Sequence, residues 1–275
     1  MKYPLIAILA FIFSALFNQA QAAPITFNTA LPVSKGQSII REQFIYSQAS
    51  NANTELTQAS FITSAVHGIS ANTTLFATIP LSYSSLETSE QRSSDFGSGD
   101  LEIFIRHTVF QQNSPGKTFR ISPFAGVELA TSNLDFGNSS NDVFAGFVAT
   151  YATTDWTADG QISYQKNGRD GELNIGDTIS FDASLQYRLI PRKLTATTSA
   201  YLNGVIELNV VKQNSNSNKQ GTVDGSDGTL VFLSPGVQYI TQRWIAEAIV
   251  QLPVTNNNNP LENDFIARAG VRINF

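Results

Sequence analysis

General acid–base and nucleophilic chemistry needs particular side chains, and this sequence holds few of them. It contains two His and no Cys, so a hydrolytic site would have to use His67 or His107 as its general base. Each of these residues lies next to a short connection between alternating segments, away from the long polar stretches. We therefore interpret both as polar residues at an interface, and we expect no enzyme activity.

The motifs that would hold a metal, a phosphate group or a nucleic acid are missing or incomplete. The stretch from Asp224 to Gly228 has the composition of a calcium loop, but it lacks the ligand spacing of an EF-hand. The sequence has no glycine-rich phosphate loop and no nucleophile elbow. It also has no run of basic residues. We expect no metal, no cofactor and no nucleic-acid partner.

Charged side chains at alternate positions say more about function than the His residues or the incomplete motifs do. Six Arg and six carboxylates fall on the polar faces of alternating segments, so they would line the interior if those segments closed into a barrel. The equal numbers predict a near-neutral lumen, whereas an ion-selective porin would show an excess of one sign. The lumen-lining candidates are Arg41, Glu102, Arg106, Arg120, Glu128, Asp159, Asp182, Arg188, Glu207, Glu247, Arg268 and Arg272.

Two roles remain open for these charges. They either pair with one another and fill the interior, for which Arg is suited by its bidentate geometry, or they line a narrow conduit. A twelve-stranded barrel is intermediate between filled eight-stranded and open sixteen-stranded barrels, so its size does not decide. Glu247 and Arg268 lie at similar distances from the connection at 253–262, which predicts that they form an ion pair.

The segments that position these charges alternate with a period of two, which is typical of half-buried strands. In the eighth segment, Phe181 and Leu185 point one way and Asp182 points the other way. In the seventh, Trp156 and Tyr164 lie at the two ends of the apolar face, as in an aromatic girdle. Strands are predicted near 37–48, 57–69, 72–84, 98–111, 117–131, 142–152, 155–166, 175–189, 194–212, 228–240, 243–252 and 263–275.

The connections between these segments alternate between short and long. Such alternation is typical of transmembrane barrels, which have tight periplasmic turns and long extracellular loops. A soluble sandwich shows the same period of two but has no reason for alternating loop lengths. The sequence therefore predicts an all-β fold, a transmembrane antiparallel up-and-down β-barrel of about 12 strands. The short connections are 70–71, 112–116, 153–154, 190–193 and 241–242, and the long ones are 49–56, 85–97, 132–141, 167–174, 213–227 and 253–262.

The N-terminal residues predict export. A positive start at Lys2 precedes an almost wholly apolar stretch from Leu5 to Phe17, and Ala20-Gln21-Ala22 supplies the small residues of a cleavage site. We interpret residues 1–22 as a secretory signal peptide, 23–36 as an N-terminal periplasmic segment and 37–275 as the barrel. The predicted location is the outer membrane of a Gram-negative bacterium, with outer-membrane lipids as partners.

The last strand is the clearest of the set. From Phe265 to Phe275 every second residue is apolar and the chain ends on the aromatic Phe275. This terminus resembles that of outer-membrane barrels, in which the barrel-insertion machinery recognises a terminal Phe. The resemblance implies that Phe275 is an insertion signal and that this machinery is a partner.

Several short motifs resemble those of the MetA-pathway of phenol degradation family, a group of proposed outer-membrane transporters. Ala130 and Ser132 stand where that family usually has Pro and Gly, so one match is partial. The order and spacing of the motifs fit along the mature chain. They are Gly97-Ser98-Gly99-Asp100-Leu101, Gly126–Thr131, Gly176-Asp177, Phe232–Tyr239, Glu247 and Gln251–Val254.

The resemblance implies a barrel that passes small aromatic or apolar solutes, so a channel or transporter is the first interpretation. The alternative is a structural or surface-interaction barrel with a filled lumen, whose extracellular loops bind a partner. No motif identifies a solute or a gate, and the sequence alone leaves both interpretations open.

Overall fold

The computed structural model describes residues 22–133, 140–195, 197–257 and 262–275, and its regular elements are strands. Within the described residues no helix is long and apolar enough to cross a membrane. The strands are β1 (Ser38–Ser50), β2 (Thr54–Gly68), β3 (Thr73–Thr88), β4 in three pieces (Arg92–Ser98, Leu101–His107 and Phe110–Ser114), β5 (Lys117–Leu129), β6 (Asp142–Thr153), β7 (Trp156–Lys166), β8 (Thr178–Ile190), β9 (Ala200–Gln213), β10 (Gly228–Thr241), β11 (Trp244–Asn257) and β12 (Glu262–Asn274).

These twelve strands form a closed barrel. Each strand pairs antiparallel with the next along the chain, and β12 pairs with β1 from Ile39 opposite Asn274 to Ser50 opposite Glu262. The Phe275 amide donates to the Ser38 carbonyl at 2.8 Å, so the final residue continues the seam. The predicted architecture is confirmed. Within the described residues, the strand pieces of the barrel that pair on one side only are the two outer pieces of β4, Arg92–Ser98 and Phe110–Ser114. A closed ladder is the condition for crossing a membrane with strands.

The distribution of side chains is inverted relative to a soluble protein. Leu185 on β8 is 51% exposed, whereas its neighbour Gln186 is fully buried. On β7, Ile162 is 53% exposed and Gln161 is 9% exposed. Apolar side chains thus face outward and polar ones inward, as the period of two predicted for these strands. A soluble sandwich would bury the apolar face instead.

Aromatic side chains cluster outside the barrel at the end with most of the tight turns. Tyr151 and Trp156 pack with their ring centroids 5.2 Å apart, and Tyr239 and Trp244 with theirs 5.6 Å apart. We call this the periplasmic end, because tight turns face the periplasm in such barrels. Rings of this kind favour the interface between lipid and water.

Several predicted connections differ from the structure. The stretches 49–56 and 85–97 are mostly strand, with turns only between Ser50 and Thr54 and between Thr88 and Arg92. Polar residues do not exclude a strand there, since a hairpin that extends beyond the membrane has water on its outer face. Conversely, β9 begins at Ala200, so the turn predicted at 190–193 is longer. Parts of the predicted loops 132–141 and 253–262 lie outside the described residues.

The motif from Gly97 to Leu101 joins two pieces of β4. The Asp100 carboxylate accepts backbone N–H groups from Thr131 and Ser132, each at 2.8 Å. The Gly99 amide donates to the Pro80 carbonyl at 2.9 Å. The motif therefore ties the bend in β4 to both of its neighbouring strands.

Two extracellular connections form a small second sheet. The short strands Arg169–Asp170, Leu173–Asn174, Ser217–Asn218 and Gly221–Thr222 pair in that order. Gly176 lies where the two connections meet, because a Cβ there would lie 1.8 Å from the Asn214 carbonyl oxygen of the other connection. The Gly176-Asp177 motif thus marks the place where the two hairpins touch.

A charge placed on the outer face should destabilise the barrel. Leu185 lies opposite Ala158 and Ile206, so Leu185→Arg would put a cation among apolar side chains in lipid. We expect the free energy of unfolding in lipid vesicles to fall by about 2–4 kcal/mol. Leu185→Ala is the control and should cost clearly less. Equal stability of the Arg variant and the wild type would show that this face does not meet lipid.

Candidate functional site: the lumen

An irregular stretch of chain, residues 23–34, occupies part of the barrel interior, and we call it the inserted segment. It meets the wall at the periplasmic end, where the Gly36 amide donates to the Gly68 carbonyl at 2.8 Å. Gly68 allows this close passage, since a Cβ there would lie 2.1 Å from the Ser34 carbonyl oxygen. Most of the stretch 23–36, which the sequence predicts as a periplasmic segment, thus lies inside the barrel in the structure.

Glu207 on β9 anchors the inserted segment. Its carboxylate accepts the Ile25 amide at 2.7 Å, the Thr26 amide at 3.0 Å and the Thr26 hydroxyl at 2.5 Å. The Asn209 side-chain amide donates to the Thr26 hydroxyl oxygen and to Asp182. Because Glu207 is fully buried, its charge depends on these donors for stabilisation.

A buried ion triad holds the adjoining part of the segment. Glu247 on β11 pairs with Arg41 at 2.6 Å and with Arg272 at 2.7 Å. The two guanidinium groups also donate to segment carbonyls, Arg41 to Ile25 at 2.5 Å and Arg272 to Pro24 at 2.6 Å. The triad therefore joins β1, β11 and β12 to the inserted segment.

Further along the segment, two hydroxyl groups and one guanidinium group of the wall satisfy its backbone. The Ala30 amide donates to the Thr150 hydroxyl at 2.7 Å, and the Ala30 carbonyl accepts from Ser122 at 3.3 Å. Arg106 donates to the Leu31 carbonyl at 2.7 Å. The segment has no strand neighbour to pair with, so these side chains take the place of a sheet ladder.

Apolar contacts complete the packing of the segment. Ile25 is buried against Val205 and Ile249, which point inward from β9 and β11. Ala22, which precedes the segment, packs against Ile240 and Ile245 beside the turn between β10 and β11. The inward face is thus not wholly polar, contrary to the simple projection from the sequence.

Four inward-facing Phe residues form an aromatic patch on adjacent strands, namely Phe76, Phe104, Phe124 and Phe144. The rings of Phe76 and Phe104 stack at 4.1 Å, and the Phe144 ring meets Phe104 edge-on at 5.8 Å. Gly126, part of a motif singled out in the sequence, lies between Phe104 and Phe144 in register. A Cβ at Gly126 would lie 2.3 Å from Phe104, so the glycine makes room for the rings.

A cavity of about 670 Å³ continues beside the inserted segment. It is lined by Ser38 and Asn274 near the periplasmic end and by Ser163 and Arg268 farther inside, with Phe27 of the segment between them. The inserted segment therefore narrows the lumen without filling it.

The predicted ion pair between Glu247 and Arg268 is wrong. Glu247 lies opposite Gly270 in the β11–β12 register, and Arg268 Nε donates to Gln251 at 2.7 Å instead. Counting from the connection failed because the register places Gly270, and not Arg268, opposite Glu247. Arg268 and Arg272 each lie two positions away, and it is Arg272 that pairs with Glu247.

The other predicted lumen residues divide by location. Asp159 is buried and accepts from Thr150 at 2.5 Å. Glu102 and Glu128 face each other across β4 and β5. Arg188 is also buried, but it pairs with Asp155 at the periplasmic turn. Arg120 contacts Thr118.

The two His residues lie outside the lumen. His107 Nδ1 is 2.9 Å from the Thr73 hydroxyl, and His67 Nδ1 is 2.9 Å from the Ser38 hydroxyl. Both side chains are exposed at the periplasmic end, at the interface that the sequence predicted. Among the described residues, no group of three or more His, Cys, Asp or Glu is placed to hold a metal ion.

Sequence reasoning missed the uncharged members of the site. Gln238 donates to the Ala23 carbonyl at 2.7 Å and Gln43 to the Ile25 carbonyl at 3.2 Å. Both amides fall on the inward face, so parity could have identified them. Phe104 was also identifiable, because it lies between Glu102 and Arg106 on that face.

Known proteins share the sequence pattern and the fold of this chain. A sequence model of the family described as "Putative MetA-pathway of phenol degradation" matches residues 38–269. The crystal structure of the COG4313 outer membrane channel from Pseudomonas putida F1 is similar to the chain with a TM-score of 0.70 and 13% identity, over 93% of this chain and 100% of that one. This likeness shows the barrel fold. Among curated proteins, none matches.

More distant structural similarity involves autotransporter barrels. The translocator domain of autotransporter NalP from Neisseria meningitidis has a TM-score of 0.47 and 14% identity, over 88% of this chain and 90% of that one. The beta domain of the Bordetella autotransporter BrkA has a TM-score of 0.46 and 12% identity, over 88% and 100%.

The ion triad predicts which charges are energetically coupled. Glu247→Ala strands two buried cations, so we expect it to lower the free energy of unfolding by about 3–5 kcal/mol. In a double-mutant cycle with Arg272→Ala, the coupling should reach about 0.5–3 kcal/mol. The matched cycle with Arg268→Ala should be additive. Unfolding in detergent gives the free energies for both cycles. Additivity with Arg272→Ala together with coupling to Arg268→Ala would contradict the triad.

Proposed function

Because the chain belongs to the family described as "Putative MetA-pathway of phenol degradation", we propose that it is an outer membrane channel for small solutes. In this proposal the solutes are single-ring aromatic or other apolar compounds. They pass beside the inserted segment, which sets the width of the passage.

The cavity beside the inserted segment is the observation that carries this proposal. It reaches from the periplasmic end past Phe27 to the level of Arg268. Its lining places aromatic side chains such as Phe76 and Phe104 beside many polar residues, so a solute that passes there meets rings as well as hydrogen-bonding groups. A wide aqueous pore would not need rings in its wall.

The triad of Arg41, Glu247 and Arg272 favours the competing function, a structural barrel with a filled lumen. These residues join three strands and the inserted segment through buried charges, and such networks fix one arrangement of the chain. In the channel proposal the same contacts hold the segment to one side of the lumen.

Export and assembly complete the proposal. Residues 1–22 act as the signal peptide that directs the chain to the outer membrane of a Gram-negative bacterium. The terminal Phe275 is then recognised by the barrel-insertion machinery. Its place on the seam beside Ser38 suits a residue that is needed when the barrel closes.

Removing the inserted segment separates the two functions. We expect deletion of Pro24–Val33 to raise single-channel conductance in planar bilayers by roughly twofold or more. The open cross-section of a twelve-stranded barrel is larger once the segment no longer occupies part of the lumen. The wild type should conduct weakly, and proteoliposomes containing it should admit phenol faster than glucose.

Glu207→Gln tests the anchor without deleting any residue. It keeps the side-chain shape but weakens the acceptor for Ile25 and Thr26, so we expect switching between a low and a high conductance level. Glu172→Gln on the extracellular sheet is the control. Zero conductance of the wild type and of the deletion would overturn the channel proposal in favour of the structural barrel.

A further inference from the structure

A smaller cavity of about 150 Å³ lies against the aromatic patch. It shares Asn28, Glu102, Phe104 and Gln161 with the larger cavity, and we call it the side pocket. An engineered cavity of about this volume takes up benzene, so the side pocket is large enough for one aromatic ring. Its lining is Asn28, Glu102, Phe104, Phe124, Phe144, Gln161, Ser163, Gln165, Thr178 and Ser180.

The side pocket is aromatic on one wall. Phe104, Phe124 and Phe144 all line it, with the centroids of Phe124 and Phe144 6.4 Å apart. Their positions on neighbouring strands are fixed by the register of β4, β5 and β6. Such a wall packs against a ring and also attracts a cation to the faces of its own rings.

Two carboxylates stand at the same level. Glu102 lies directly opposite Glu128, and both side chains point inward and are half-buried. Like charges in directly opposed positions destabilise a sheet. Across the described ranges, neither carboxylate has a Lys or Arg within 4.0 Å, in contrast to Glu247. Of these two carboxylates, Glu128 accepts a hydrogen bond from the neutral Gln165 side chain at 3.3 Å, and a positive charge beside the pair would reduce their mutual repulsion.

A buried acceptor adds a second, independent indication. Gln161 is 9% exposed and lines both cavities. Its side-chain nitrogen donates to Asp182 at 3.3 Å, while its Oε1 is fully buried without a hydrogen-bond partner in the described structure. An unmade bond at a buried acceptor is costly, and a rotation of the Gln161 side chain toward the pocket would let a ligand N–H satisfy it.

Together these features lead to one ligand class, and we propose that the side pocket binds a small organic cation composed of one aromatic ring and a protonated amine. The ring packs on Phe104 and Phe144, and the positive charge lies beside Glu102, with Glu128 on the next strand adding to the negative potential. An N–H bonds Gln161 once its side chain rotates toward the ligand. An ammonium group has three donors, which matches this set of acceptors. This inference rests on the proposed channel and names its substrate class.

Aromatic anions are the contrasting class, since Arg106 also borders the larger cavity. That guanidinium lies 4.9 Å from the centre of the Phe76 ring and donates to the Leu31 carbonyl. It is therefore engaged by the wall and the inserted segment, whereas Glu102 has no such partner within the described part of the chain. The side pocket itself contains no basic side chain.

Calorimetric titration of the folded full-length barrel in detergent tests the site with three probes of similar size. These are 2-phenylethylammonium, 2-phenylethanol and phenylacetate. We expect the ammonium compound to bind about tenfold or more tightly than the alcohol, which corresponds to about 1.4 kcal/mol, and phenylacetate to bind most weakly. This comparison needs no substitution, so it is independent of any folding defect.

Variants then assign the residues. Glu102→Gln should abolish the preference for the ammonium compound over the alcohol, and Phe144→Leu should weaken both. Glu90→Gln, in the exposed turn after β3, removes the same charge outside the barrel and should change neither. Slower migration of heated than unheated samples on a gel confirms that each variant is folded.

Equal affinity for the ammonium compound and the alcohol in the wild type, or tightest binding of phenylacetate, would overturn the proposal. An ammonium preference that survives in both Glu102→Gln and Glu128→Gln would also overturn it. Ammonium binding in a barrel without conductance would leave the site in place and refute the channel. Conductance without ammonium binding would refute the proposed site and leave the channel in place.

Discussion

Backbone amides and carbonyls without partners are costly in lipid and in a narrow lumen alike, and this constraint shapes the whole protein. In the wall it is met by closure, with the last strand paired to the first along its length. In the interior it is met by side chains, because the inserted segment has no neighbouring strand. Glu207, Arg272 and Thr150 each take a bond that a sheet would otherwise supply.

The lumen therefore has two kinds of surface with different roles. Fully buried charges and amides, such as Glu247 and Gln238, are engaged by the segment or by one another. The aromatic patch and the half-buried Glu102 line open space instead. The first surface fixes the chain in one arrangement, and the second remains available to a solute. The residues of both surfaces lie at inward-facing alternate positions of the strands. The path of the inserted segment therefore decides which of them are engaged and which line open space.

The barrel could be predicted from the sequence because the alternation of apolar and polar residues is visible within each strand alone. Leu185 and Gln186 face opposite sides whatever their neighbours are, and a period of two shows this locally. Arg41, Glu247 and Arg272 were likewise identified as inward by parity. Their pairing was not, since it depends on register, and register placed Glu247 opposite Gly270. The inserted segment was missed for a related reason. It has no period of its own, and its partners lie far away in sequence, as Ile25 and Glu207 do.

The path of the inserted segment also determines how the chain can be assembled. The Ala23 carbonyl accepts from Gln238 near the turn between β10 and β11, and Gly36 bonds beside the turn between β2 and β3. Both ends of the segment thus lie at the same mouth of the barrel, and the chain between them forms a U. A closed ring can receive such a hairpin without being threaded. A bulky N-terminal extension would never need to pass through the pore, and the order of wall closure and segment insertion is topologically unconstrained.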